Sequence, residues 1–271
     1  MEDNIKWIDF DTMENFMVDV FKGVGVPEGD AKICADVLIQ ADKQGIDSHG
    51  ANRLKSFYYD RIVGGIQLFP ETNFEVVREG PTTAVVDGHH GMGMVIGKRS
   101  MEMAIEKAQK YGMGMVVARN STHYGIAGYY CNMAVKAGMI GVSGTNARPS
   151  IAPTFGVENM LGTNPLTFGM PSDDEFPFML DCATSIAQRG KSEVYDKLGK
   201  KMPEGWVIDE NGHHITDPHR ALEDLIKGSA ALNPLGGAGE ELGGYKGYGY
   251  ATVVEILSAA LQGGSFLKAL S

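Results

Sequence analysis

Three observations place the chain in the mixed α/β class. Apolar residues recur at helical spacing in some stretches, runs rich in β-branched residues stand between glycine and proline turns in others, and the two kinds of stretch alternate along 271 residues. The alternation fits α/β and α+β topologies equally, and no repeat of fixed period is present.

The elements follow in order. Asp11 with Glu14 three residues later reads as a capping box, with Met13, Phe16, Met17, Val20 and Phe21 as the apolar stripe of a first helix. Pro27 and Glu28 open a second helix that runs to about Lys43, with Cys34, Val37, Leu38 and Ala41 on one face, so Cys34 is expected in the core. Ser48 reads as the N-cap of a third, in which Leu54, Phe57, Tyr58 and Ile62 repeat. Residues 74–77 and 83–86 form a strand pair around Glu79-Gly80-Pro81. The glycine-rich turn from Asp87 to Gly97 then leads into a helix holding Met101, Ile105 and Ala108. Strands at 113–118 and 139–143 flank a helix at 128–136, and two more follow at 165–170 and 178–181, the first stopped by Pro171. Residues 184–201 read as a basic helix, 203–218 as a loop with its own hairpin, and 219–226 and 249–261 as helices. Functional divisions are expected at 1–70, 71–120 and 121–271.

Composition narrows the classes of function. Hydrophobic residues at 43% and charged residues at 21% suit a packed globular protein. A formal charge of −10 argues against nucleic acid and anionic membrane as partners, and no apolar run reaches the length of a span. Cys34, Cys131 and Cys182 show no paired spacing, which fits a reducing compartment, and the polar, acidic opening residues lack leader character; a cytoplasmic location is expected. The adjacent pairs His89-His90 and His213-His214 point to opposite sides of an extended chain, and no Cys-x-x-Cys or His-x-x-x-His occurs, so no metal is expected. Neither a Gly-x-Ser-x-Gly elbow nor a phosphate-binding Lys-Ser/Thr loop is present.

The chemistry concentrates on a few glycine-flanked turns. Asp47-Ser48-His49-Gly50-Ala51-Asn52-Arg53 loads a hydroxyl, an imidazole and a guanidinium onto one segment, and on a helix His49 and Arg53 would share a face. Oxidation of a 2-hydroxy acid needs such a set: a base near neutral pKa for the hydroxyl proton and a planar fork for the carboxylate. The same residues also suit a plain helix start. Asn120-Ser121-Thr122-His123-Tyr124-Gly125 presents a second histidine on a loop after a strand. Gly144-Thr145-Asn146-Ala147 and Gly162-Thr163-Asn164-Pro165 offer amides and short polar groups, for a cofactor or for turn chemistry. Asp181-Cys182-Ala183-Thr184 puts an acid at a strand end, fit for ribose hydroxyls, a histidine or a helix cap, and Gly243-Gly244-Tyr245-Lys246-Gly247 frames a lysine suited to a phosphate or carboxylate. The turn at 87–97 has the strand–turn–helix context of a dinucleotide fingerprint. Its third glycine falls one residue late, however, and no acid stands about 20 residues on.

Taken in order, these motifs, together with Pro203-Glu204-Gly205-Trp206, resemble the malate/L-lactate dehydrogenase family of the non-Rossmann type, whose members include ureidoglycolate dehydrogenase, sulfolactate dehydrogenase, diketogulonate reductase and cyclic imino acid reductases. The resemblance implies a homodimer and a cofactor-binding sheet of unusual topology, flanked by helices from both chain ends. It implies an NAD- or NADP-dependent oxidoreductase acting at C2 of a small 2-hydroxy or 2-oxo acid, malate or lactate first. By position His49 is the proton donor and acceptor with Ser48 beside it, Arg53 clamps the carboxylate, and His123 matches a second histidine that competes for the same role. Asp181, Cys182, Ala183, Tyr245 and Lys246 match cofactor contacts, with Asn146 and Ala147 near another. Family members continue well past Gly263-Gly264-Ser265-Phe266, so the chain is expected to be C-terminally truncated relative to them. Rival readings are a same-fold reductase of a cyclic imine, an inactive cofactor-binding or dimer-forming protein, and a Rossmann enzyme using Gly91 to Gly97.

Overall fold

The computed structural model describes residues 6–270, and the chain divides into two compact units, Met1–Ala137 and Gly138–Ser271. Both mix helices with small sheets.

In the first unit, α1 (Phe10–Gly23) and α2 (Glu28–Lys43) bury Met17, Phe21, Cys34, Val37 and Leu38 in one core. Asp9, not Asp11, caps α1: its backbone is extended and its carboxylate accepts from the Thr12 amide at 3.1 Å, which leaves Asp11 in the first turn. Cys34 lies in the core, where burial pushes its thiol well up. The expected helix capped by Ser48 is replaced by turns over 44–53, a π-helical turn at Leu54–Tyr59 and a short α3 (Asp60–Val63). The Ser48 hydroxyl meets the His49 ring rather than a helix amide.

β1 (Glu75–Glu79) and β2 (Thr83–Asp87) are the expected antiparallel pair, with a register shift between Val76 and Arg78. α4 (Gly93–Tyr111) crosses to β3 (Met115–Arg119), which runs parallel to β2, and α5 (Ala127–Lys136) follows. This is the crossover that a dinucleotide turn requires, yet its glycines admit the chain's own atoms. A Cβ on Gly88 would stand 2.5 Å from Ile96 Cδ1, one on Gly91 2.9 Å from Thr72 Cα, and one on Gly93 2.2 Å from Thr122 O. The opening amides are used likewise: Met92 donates to the Thr72 hydroxyl and Gly93 to that of Thr122.

In the second unit, β4 (Gly141–Gly144), β5 (Leu166–Met170) and β6 (Phe178–Cys182) form an antiparallel sheet in that order. The expected helix over 184–201 shrinks to α6 (Arg189–Lys197), because Ser185 bridges Pro234 and the Ile186 amide donates to Asn233 O. The hairpin expected within 203–218 is a single bridge, Ile208 to His214; β7 (Val207–Asp209) pairs instead with β8 (Ala230–Leu232), beyond the Asp217-capped α7 (Pro218–Lys227). The sequence reading missed β8. Its three residues are all buried, so it lacks the alternation that marks a half-exposed strand. α8 (Gly244–Ala260) starts five residues before the expected Gly249, with Gly247 in its first turn, where a Cβ would stand 2.3 Å from Leu235 O. Among the described residues no helix is long and apolar enough to cross a membrane, no three His, Cys, Asp or Glu are placed to hold a metal, and no disulfide joins the cysteines.

Candidate active site

The first unit brings Ser48, His49, Arg53 and His123 into one cluster, with Ser48 against the His49 ring and that ring facing His123. His123 sits on the loop after β3, and Tyr58, fully buried in the π-helical turn, places its hydroxyl 2.5 Å from His123 Nδ1. Burial pushes the Tyr58 phenol well above its usual range, so it keeps its proton. The Gly125 amide also points at Nδ1, at 3.4 Å, and an amide only donates. Nδ1 is therefore the acceptor, and the ring proton is assigned to Nε2. Burial foremost, and then the facing His49, Arg53 and Arg61, hold His123 at about 3, so it is neutral at physiological pH.

His49 lies half-buried in a turn, its ring nearly parallel to His123 at 18° with centroids 5.8 Å apart. Ser48 Oγ stands 2.9 Å from His49 Nδ1. The turn is pinned from α2, because Asp42 accepts from the Ala51 amide at 2.8 Å. Residue 50 is glycine for the same reason: a Cβ there would fall 1.7 Å from Asp42 Oδ1. Burial raises the Asp42 carboxyl above its usual range, against the pull of that amide. Arg53 Nε donates to Ser48 O at 2.5 Å, and the guanidinium lies 5.0 Å from the centroid of Phe57, whose ring is 4.8 Å from that of His123. His49 and Arg53 thus converge through a closed turn rather than a shared helical face.

The remaining candidates belong to the second unit. Asp181 and Cys182 end β6; Asp181 Oδ1 accepts from the Thr167 hydroxyl at 2.9 Å, and burial raises the half-buried Cys182 thiol. Tyr245 and Lys246 are exposed in the first turn of α8, not on a loop. The Pro234–Leu235 segment links these stretches: Leu235 N donates to Thr184 O at 2.8 Å, next to Ala183, and the backbone of Leu235 packs against Gly247. Asn146 and Ala147 turn their donors inward, Asn146 Nδ2 to Glu255 and Ser265 O, and Ala147 N to Asn164 Oδ1. Asn164 in turn donates to Glu255 at 2.8 Å, so a buried carboxylate ties the two Gly-Thr-Asn turns together.

Sequence reasoning passed over Tyr58, Phe57 and Asp42 as helix stripe and helix end. A buried tyrosine hydroxyl must find a partner, which is the signal that the stripe concealed.

Residues 8–271 match the family model described as malate/L-lactate dehydrogenase. The malate dehydrogenase of Pyrococcus horikoshii is 50% identical over 268 residues, 99% of this chain and 72% of that protein. The L-sulfolactate dehydrogenase of Methanocaldococcus jannaschii is 43% identical over 248 residues, covering 91% and 67%. The crystal structure of malate dehydrogenase from Entamoeba histolytica superposes with a TM-score of 0.94 at 49% identity, over 97% of this chain and 73% of that one.

Proposed function

The chain belongs to the malate/L-lactate dehydrogenase family, and from that premise we propose that its substrate is malate, with lactate as the second candidate. It is an oxidoreductase of 2-hydroxy acids that works with a nicotinamide cofactor. The observation that carries the mechanism is the pair of imidazoles in one cluster, with His123 held neutral by burial and bonded to a tyrosine hydroxyl.

His49 takes the C2 hydroxyl proton at Nε2, because Ser48 engages Nδ1. His123 donates from Nε2–H to the same oxygen, which supports the developing carbonyl without a proton transfer of its own. Arg53 grips the C1 carboxylate through its guanidinium, and its Nε bond to Ser48 O fixes the arm in the turn of His49. A bound nicotinamide, as NAD or NADP, would supply the acceptor for the hydride that leaves C2.

The second unit's donor set suits such a group. Asp181 is an acceptor for hydroxyls or an amide, Lys246 is an exposed cation for phosphate, and Tyr245 offers a ring face; Cys182 and Ala183 line the same strand end. Asn146 and Ala147 contribute the turn that Glu255 holds. The antiparallel order β4-β5-β6 supports a non-Rossmann cofactor sheet, and three thiols outside any disulfide support a cytoplasmic location. We assign a homodimer, to be checked by sedimentation.

The test is turnover of malate and lactate with NAD and NADP, followed by reduced-cofactor absorbance and repeated with oxaloacetate and pyruvate in reverse. Malate turnover that His49→Ala abolishes is the expected result. Binding of reduced cofactor without turnover of any of these acids would make this an inactive cofactor-binding protein.

A further inference from the structure

Phe57 lies against two guanidinium groups, Arg53 Cζ 5.0 Å from its ring centroid and Arg61 Cζ 5.8 Å from it. The three residues step by four through the π-helical turn into α3, a spacing that keeps them on one face. The same ring packs on His123 at 4.8 Å, so Arg61 stands at the acid/base cluster and not on a remote surface. Arg61 is also among the charges that hold His123 neutral. Asp60, the acid beside Arg61, pairs with Lys55 at 2.8 Å.

A 2-hydroxy monoacid needs one guanidinium, and this cluster holds two. We propose that Arg61 is a specificity-determining residue that binds the second acidic group of the substrate and so selects 2-hydroxy diacids over monoacids. The inference rests on the reading of the first unit as the 2-hydroxy acid site.

The sizes agree. The two ring distances limit the separation of the guanidinium carbons to about 11 Å. A four-carbon diacid spans ~4 Å between carboxyl carbons and each guanidinium–carboxylate pair adds ~4 Å, so a molecule of malate's length reaches both guanidinium groups in a bent arrangement beside the Phe57 ring, not end to end across it. An aromatic face against each guanidinium also restricts its plane and favours a bidentate grip over a diffuse charge effect.

The experiment measures kcat/KM for oxaloacetate and pyruvate in wild type, Arg61→Met and Arg61→Lys, with calorimetric binding of both acids in parallel. Arg61→Met should lower kcat/KM for oxaloacetate about 10- to 100-fold more than for pyruvate, chiefly through KM. Arg61→Lys should recover part of the loss. Equal losses on both acids, or no loss on either, would overturn the proposal while the dehydrogenase reading stands. If wild type turns over neither acid but binds oxaloacetate in an Arg61-dependent way, the dehydrogenase reading fails and this one holds. Binding of neither acid ends both.

Discussion

His49 and His123 carry the same ring in opposite circumstances, and their variants should separate accordingly. His49→Ala should lower kcat by about 10²- to 10⁴-fold with little change in KM, the loss expected when a general base is removed. Unchanged turnover would move the proton to His123. Tyr58→Phe removes the donor at His123 Nδ1 and should cost about 1 kcal/mol of stability together with a fall in kcat, read by denaturant titration and steady-state rates. A variant that loses stability but keeps its rate would show that the tyrosine only fills the core. Arg53→Lys should raise KM for the acid more than Kd for reduced cofactor, because a point charge replaces a fork; equal losses would count against the clamp.

Among the elements, two glycines mark where one segment must touch another. Gly50 exists because the Asp42 carboxylate occupies the space of its missing Cβ. Asp42→Ala leaves the Ala51 amide without that acceptor and should cost about 1–3 kcal/mol, with a lower kcat and unchanged cofactor affinity. A fall in cofactor affinity of the same size would mean general unfolding instead of a loosened turn. Gly247 lets α8 meet the Leu235 backbone, which also donates to Thr184. Gly247→Ala should therefore destabilise by about 1–3 kcal/mol and weaken cofactor binding, measured by thermal shift with and without NADH. Periodicity revealed most elements, since it is a property of neighbours along the chain. It failed at the Asp9 cap, the Ser48 helix, the start of α8 and all of β8, where hydrogen bonds and packing from distant residues decide.

For the whole molecule, pH is the informative variable. His123 titrates at about 3 when folded, against about 6.5 in an unfolded chain. Below pH 6.5 the unfolded state takes up a proton that the folded state refuses, so stability is complete above 6.5 and erodes as pH falls toward 3, at up to ~1.4 kcal/mol per pH unit. His123→Asn should flatten the stability profile in that window, and an unaltered slope would show that the ring is not buried neutral. Asp87 adds a second, more acidic window. Burial opposes its ionisation, but hydrogen bonds from Asn120, the His89 amide and Arg119 hold it at about 2, so its contribution is full above about 4 and lost toward pH 2.

The sequence by itself determined the order and kind of most elements, the core position of Cys34, and the set of turns that carry the candidate site residues. These follow from the spacing of residue types within a dozen positions. Tertiary structure alone decided that His123 is neutral, which nitrogen carries its proton, that Asp42 pins the turn of His49, and that two arginines share Phe57. A proton's place depends on local dielectric and on nearby charges, and folding brings those to His123 from residues some 60 to 75 positions away along the chain.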